Sequence, residues 1–211
     1  MVLPQNRDLP KLYEAVGSAI SQWSFIELQL YQVFTVCLTL TAMQPGGGFS
    51  VDNRVPNAVL DSIEGFRGKL NMIDAAMLAA LKGLDDEAIA LLRDWAVLKG
   101  KVNDLHWNRN ALAHWTGWRE AKPDGTTAKA YIAPHPFASN DHPRATKTDI
   151  DQWAVRFRET GIKLSELVER LASHQGLQHT HVARVASQVL CTLPGDLRLL
   201  ESLKQELSGH L

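Results

Sequence analysis

Four polar side chains close to position 110 have types and spacing that suit chemistry. His106, Asn110 and His114 recur every four residues, and Arg109 is adjacent to Asn110. On a helix the first three line one face, with Arg109 about 100° from Asn110 around the axis. Imidazoles transfer protons near neutral pH, and a guanidinium binds anions. The segment 106–114 is therefore the candidate functional site.

Arg109 also interrupts an apolar stripe, and Glu27 does the same in the first predicted helix. Apolar residues at steps of three or four precede and follow each of these two charged residues, so the spacing places both on a buried side. Because a buried charge without a partner is costly, we expect Glu27 and Arg109 to form an ion pair. Two interpretations stay open: a structural pair that fixes the helix register, and part of a functional site.

Apolar periodicity and end signals predict the helices that position these residues. Asp8 and Pro10 suit the start of a long first helix, and Gly83 suits the end of the second. Acidic residues at 85–86 begin the helix with the candidate site, and Thr148 caps the last helix of the bundle. The predicted helices run from Asp8 to about Met43, from Pro56 to Lys82, from Asp85 or Asp86 to about Trp115, and from Thr148 to about Ser173.

Between the third and fourth of these helices the pattern changes to short runs. The turn residues Pro123-Asp124-Gly125 separate two of them, which predicts a β-hairpin. The stretch 134–147 is rich in Pro, His, Asn and Asp and is expected to be a loop. Two shorter helical patterns complete the chain.

The predicted fold class is all-α: an up-down helical bundle of four main helices, with a short β-hairpin insertion and two C-terminal helices. Residues 1–174 form the bundle in this division, and the insertion occupies 115–148. Residues 175–211 form a C-terminal helical extension that packs on the bundle or on a second subunit.

Composition and charge limit the function classes. A chain of 211 residues with 45% hydrophobic residues can bury its own core, and a net charge of −1 argues against a strongly basic nucleic-acid binder. Cys37 and Cys191 lie in apolar patterns, which indicates buried thiols in a reducing compartment. The N-terminus lacks the apolar core of a signal peptide, and the uncharged stretch 28–44 contains several polar residues. We therefore expect a cytoplasmic protein without a membrane span.

The remaining histidines do not predict a metal site. His135 and His142 fall in the predicted loop, and His179 and His181 lie near a turn. Neither pair has zinc-like spacing or a nearby Cys. We expect no metal and no cofactor.

The segment Arg109-Asn110-x3-His114 resembles the R-x4–6-H signature of HEPN domains (higher eukaryotes and prokaryotes nucleotide-binding). The common form of that signature has Asn after the Arg, and it lies late in a bundle helix. The resemblance covers about residues 8–173 in outline, and the six-residue motif is its specific part. It implies an all-helical bundle that forms a homodimer. Many members are metal-independent endoribonucleases of toxin, phage-defence or RNA-processing systems.

The resemblance also implies residue roles. The 2′-OH of RNA would attack the adjacent phosphodiester and leave a 2′,3′-cyclic phosphate. His114 would act as general acid or base, Arg109 would stabilise charge on the phosphoryl oxygens, and Asn110 would orient the phosphate or the imidazole. We place Glu27 and His106 as supporting residues. In the family the two motifs face each other across the dimer. Seven Lys/Arg against four Asp/Glu over 93–129 suit such a cleft.

Some features leave an alternative open. Thr116 stands where some members carry a Tyr that a partner antitoxin modifies, so we do not expect that regulation here. Trp107, Trp115 and Trp118 flank the motif; they could stack on bases, but we favour core or dimer-interface positions. The alternative function is a non-catalytic helical dimer that binds a partner protein or a small ligand. RNA, an antitoxin and another protein are the candidate partners besides a second copy.

Overall fold

A computed structural model describes residues 8–42, 54–83, 85–119, 129–134 and 144–174. This part of the chain is mostly helical with one small antiparallel sheet, which agrees with the predicted mostly helical fold. The predicted C-terminal helices of 175–211 lie outside the described residues. The helices are α1 (Asp8–Ala42), α2 (Arg54–Asp61), α3 (Phe66–Leu81), α4 (Asp86–His114) and α5 (Lys147–His174), and the strands are β1 (Thr116–Arg119), β2 (Ala130–Ala133) and β3 (Ala145–Thr146).

Helix α1 is the central element of the described core. It packs most extensively against α5, then against α3, and it also touches α2, α4 and the first two strands. Trp23 of α1 is almost fully buried, with Phe66 and Phe157 on different sides, each with its ring centroid 5.3 Å away. A helix with neighbours on several sides is apolar beyond a single stripe. This explains why the uncharged stretch of α1 is long without being a membrane span.

The second predicted helix is broken into two. Residues 62–65 interrupt it between α2 and α3, and Gly65 has φ 78°, a backbone conformation that non-glycine residues rarely adopt. A Cβ on Gly68 would lie 2.8 Å from Cγ2 of Ile63, so the turn also needs a small residue there. The prediction of one continuous helix from Pro56 to Lys82 is therefore wrong, because glycines inside an apolar pattern allowed a turn.

The predicted hairpin is confirmed in its strands. Strand β1 pairs antiparallel with β2, and Trp118 lies opposite Tyr131. The predicted turn at Pro123-Asp124-Gly125 lies outside the described residues. A third strand, β3, pairs with β2 inside the stretch that we expected to be all loop. Two residues are too few for a periodic signal, so pairing with β2 rather than local sequence creates β3.

Helix α5 begins before the predicted cap. The backbone N–H and the hydroxyl of Thr146 both donate to Asp149 Oδ2, at 2.8 and 2.7 Å, and Asp149 N–H donates back to the Thr146 hydroxyl at 3.4 Å. This reciprocal arrangement is a capping box in which Asp replaces the usual Glu. The N-cap is therefore Thr146 rather than Thr148, because Asp149 lies three residues after Thr146.

Gly161 allows α1 and α5 to pack closely. A Cβ at this buried position would lie 2.5 Å from Cδ1 of Phe25, which is itself only 3% exposed. We expect Gly161→Ala to lower the free energy of unfolding by about 1–3 kcal/mol through overpacking, despite a gain of up to about 1 kcal/mol in helix propensity. Chemical denaturation measures the change.

Gly100 of α4 is the matched control for that substitution. It is an exposed helical glycine, and a Cβ there would meet no atom within 4 Å. Gly100→Ala should therefore raise the free energy of unfolding by up to about 1 kcal/mol. Equal effects of the two substitutions would show that the contact between Phe25 and Gly161 does not limit packing.

Candidate functional site

Helix α4 positions the Arg109-Asn110-x3-His114 motif at its C-terminal end. Asp85 caps the helix by accepting from Ala88 N–H at 3.1 Å, and acidic residues fill the first turn. Buried residues recur at helical spacing from Ala88 to Leu112 and hold one side of α4 in the core. His114 is the last helical residue, as the sequence predicted to within one position. The motif therefore lies on the last turns of a long, packed helix.

The three motif side chains differ in exposure. Arg109 and Asn110 are half-buried, and His114 is exposed. Arg109 Nη1 donates to Asn110 Oδ1 at 3.4 Å, a long contact that brings the amide against the guanidinium. The structure thus joins Arg109 to Asn110 and leaves the His114 imidazole open to solvent.

Arg109 and His114 point in different directions from α4. At 3.6 residues per turn they are about 140° apart around the axis and about 7.5 Å apart along it. A reacting phosphate that contacts both imidazole and guanidinium would have to reach around the helix of a single chain. A complete cleft is more readily made when another surface supplies one of the two groups.

His106 is part of the core rather than of an open cleft. Its ring stacks on Phe66 with centroids 4.3 Å apart and planes 11° apart, and it tilts against Trp23 at 6.0 Å. Burial lowers the pKa of His106, the nearby Arg109 cation lowers it further, and the Glu27 carboxylate opposes both. The imidazole is therefore neutral near pH 7, and it connects α4 to α1 and α3.

The expected ion pair between Glu27 and Arg109 is absent from the described part of the chain. Both side chains are only half-buried, so neither needs a partner to offset full desolvation. The apolar stripe around Glu27 contains Ile20, Trp23 and Leu30, and Ile20 is 41% exposed. Trp23 and Leu30 are buried, but the buried face of α1 also includes Ile26 and is therefore centred away from Ile20. Glu27, seven residues after Ile20, lies at the edge of the core.

The half-buried His106 predicts acid sensitivity. Its folded pKa lies below the ordinary value of 6.5, so the unfolded chain takes up the proton first as the pH falls. The contribution of neutral His106 to the free energy of unfolding is complete above the ordinary pKa of 6.5, and it is lost as the pH falls through the folded pKa. Between pH 7 and pH 5 we expect His106→Phe, which keeps a stacking ring, to lose less stability than the wild type in urea titrations. Equal losses of stability by His106→Phe and the wild type over this pH range would contradict the expectation.

Three tryptophans form a cluster beside the motif. Trp107 is 52% exposed, and its ring lies edge-to-face against Trp115 at 5.5 Å and Trp153 at 6.2 Å. Of the two positions that we favour for these residues, Trp107 does not occupy the core, because it extends from the solvent side of α4; a dimer-interface position stays a prediction. Trp115 and Trp118 are half-buried. Trp153 lies in α5, 46 positions after Trp107 in the sequence, and nothing in the spacing linked the two residues.

Comparisons with family models, curated proteins and solved structures found no match. The resemblance to HEPN domains is therefore carried by the motif and by its place at the end of α4. The motif lies on α4, and α5 packs against that helix.

Cys37 does not supply a nucleophile. It is buried in α1, and burial raises the pKa of its thiol to about 12, so the thiol stays protonated at neutral pH.

Cys191 and the histidines at 135, 142, 179 and 181 lie outside the described residues. Within the described ranges, no group of three His, Cys, Asp or Glu side chains could hold a metal ion. None of the described helices is long and apolar enough to cross a membrane.

Two clefts between helices were not expected from the sequence. One, of about 180 Å³, lies between α4 and α5 and has Thr160 at its lining together with five charged side chains: Lys101, Asp104, Arg156, Glu159 and Lys163. The other, of about 610 Å³, lies between α3 and α4. There Asp74 accepts from Lys99 at 2.6 Å and from Trp95 at 2.8 Å. Burial alone would raise the pKa of Asp74, but these two donors lower it.

Proposed function

We propose that this chain is a HEPN-like, metal-independent endoribonuclease of a toxin or defence system, with an up-down bundle fold of the kind the resemblance implies. The observation that carries the proposal is the state of the motif on α4. Among the described residues Arg109 has no carboxylate partner and donates only to Asn110, five residues before the exposed His114. Its remaining N–H donors are available for an anionic ligand.

The proposed reaction needs only groups that this chain carries. His114 removes the proton from the 2′-OH, or donates one to the leaving 5′-oxygen; an imidazole can act as either base or acid, and that of His114 is exposed to solvent. The 2′-oxygen forms a bond to phosphorus as the bond from phosphorus to the 5′-oxygen breaks, which gives a 2′,3′-cyclic phosphate and a 5′-OH. Arg109 stabilises charge on the nonbridging oxygens, and Asn110 holds the guanidinium in place.

The active cleft is proposed to lie between two copies of the chain. Because Arg109 and His114 are about 140° apart around α4, the partner copy would supply the imidazole that faces this guanidinium. Phe25 packs against Gly161 inside the chain and gives no support to association. Tyr13, Ile20 and Leu28 do leave α1 with exposed apolar surface. Sedimentation should show a dimer at micromolar concentration.

Incubation of the purified protein with single-stranded RNA in EDTA tests the proposed function. We expect cleavage without added metal, and products that resist labelling at a 3′-OH until the cyclic phosphate is both opened and removed. Cleavage that requires a divalent cation would contradict the proposal. A protein that cleaves no RNA across a broad substrate set would instead support the alternative, a non-catalytic helical dimer, for which the cleft between α3 and α4 is a candidate ligand site.

A further inference from the structure

Trp107 is an unusual residue for the surface of a helix. It is 52% exposed, whereas Trp23 and Trp95 of the same fold are almost completely buried. Other exposed apolar side chains on the same helix, Ile89 and Val97, are aliphatic. An indole contributes a large apolar area, so leaving half of it in water has a cost that a single exposed aliphatic residue does not match.

The indole of Trp107 is also held in position. Trp115 follows the last turn of α4 and lies at an interplanar angle of 87° to it. Trp153 belongs to α5 and lies at 77° to it. Both neighbours are half-buried, and each comes from a different part of the fold. Edge-to-face contacts of this kind fix the orientation of a ring. The exposed part of Trp107 is therefore a preorganised flat aromatic surface.

Trp107 and His114 share one side of α4. Seven residues separate them, which is close to two full turns, about 20° in direction and about 10.5 Å along the axis. Both side chains are exposed. A strand whose phosphodiester lies at His114 can therefore place a neighbouring base over Trp107.

We propose that Trp107 is a stacking platform for one unpaired base of single-stranded RNA next to the cleaved phosphodiester. The inference rests on the proposed function and specifies its substrate class. Every base has a π face, so stacking on an indole is tolerant of sequence, but it requires a base that is not already stacked in a duplex. Trp107 thus selects single-stranded over double-stranded RNA, and Trp115 and Trp153 are positioning residues for its ring.

Binding to a cleavage-deficient background tests the platform. In His114→Ala, we expect the added change Trp107→Leu to weaken binding of a labelled single-stranded RNA by about tenfold, the effect of one lost base–aromatic stack. Trp107→Phe should recover most of the affinity, because it keeps an aromatic face. Val97→Ala is the matched control, an exposed apolar residue of α4 outside the cluster, and it should leave affinity unchanged. A duplex of the same sequence should bind all variants equally.

The position of the stack and the competing occupant are tested with the same proteins. A single abasic nucleotide should weaken binding to the Trp107 protein at one position of the RNA and have no such effect on Trp107→Leu. Equal affinity of Trp107→Leu and its parent for single-stranded RNA would overturn the platform and leave the proposed ribonuclease intact. A fall in sedimenting mass for Trp107→Leu and Trp107→Phe would also overturn it, because a second copy then covers the indole. RNA that is neither bound nor cleaved by the wild type would remove the proposed function and this inference together.

Discussion

Replacing His114 with Ala is expected to slow metal-independent RNA cleavage by at least about a hundredfold, the usual scale for loss of a general acid or base. The fold should be unaffected, because His114 is exposed at the last residue of α4 and supports none of the described core. The measurement is the initial rate on single-stranded RNA in EDTA, at protein concentrations where both proteins have the same sedimenting mass. Equal rates for the two proteins would exclude His114 from the chemistry.

His174 provides a control for His114. It is also the last residue of a long helix, α5; its side chain is 11% exposed, and its Nε2 lies 3.7 Å from Oδ1 of Asp85. His174→Ala removes an imidazole from a helix end without touching the motif, so its cleavage rate should equal that of the wild type. A similar loss of rate in both variants would indicate an effect on folding or assembly rather than on proton transfer.

Arg109 is tested separately, because replacing it is expected to affect stability less than the predicted ion pair with Glu27 implied. With no carboxylate partner among the described residues, its removal does not leave a buried anion unpaired. Arg109→Lys keeps the charge and loses the planar set of donors that fits a phosphate. In the rate assay we expect it to lie between the wild type and Arg109→Ala. If Arg109→Lys cleaves as fast as the wild type, a positive charge at this position is sufficient for cleavage, and the planar set of guanidinium donors is not needed.

The helices and their caps were predictable where local signals agree. Asp85 and the acidic first turn of α4 set the start of the motif helix, and a strong apolar period carried it to its end. Helix α1 was predicted to within one residue from its start signal and its stripe. Such features depend on residues within one turn of each other, which a single sequence displays directly.

Features that depend on distant neighbours were not predictable. Strand β3 needed a partner strand: Ala145 pairs with Ile132 and Thr146 with Tyr131, 13 and 15 residues earlier in the chain. The missing ion pair has the same origin. A stripe drawn through Ile20 differs by a small rotation from the buried face of α1, and that rotation decides whether Glu27 is buried. Tertiary packing sets the rotation of a helix that has apolar residues on several sides.

The place of the motif residues on one helix was predicted, their surroundings were not, and their role as a functional site stays a prediction. Spacing placed Arg109, Asn110 and His114 on one helix end, and the structure agrees. Spacing could not show that His106 stacks on Phe66 and tilts against Trp23, or that the exposed Trp107 contacts an indole of α5. These contacts join side chains that are tens of residues apart along the chain, and their chemistry follows from the packing.

Gln29 of α1 is expected to lower the stability of the wild-type protein. It is 0% exposed, and neither its Oε1 nor its Nε2 has a hydrogen-bond partner in the described part of the chain. It lies four residues after Phe25, on the side of α1 that packs against Gly161 of α5. A buried polar group without a partner costs about 1–3 kcal/mol. The long uncharged stretch of α1 therefore carries an amide where an apolar side chain would fit better.

Gln29→Met should raise the free energy of unfolding by about 1–3 kcal/mol, because Met is unbranched, similar in length and has no amide to desolvate. Urea denaturation at neutral pH measures the change. Gln152→Met on the exposed side of α5 is the control, since it makes the same change in helix propensity at a site where the amide keeps its water. The control should be near neutral. A Gln29→Met protein that is less stable than the wild type would mean that the amide has a partner beyond the described residues. That partner would be sought in the segment 175–211 or in a second copy of the chain. Repeating the measurement at several protein concentrations tests for the second copy.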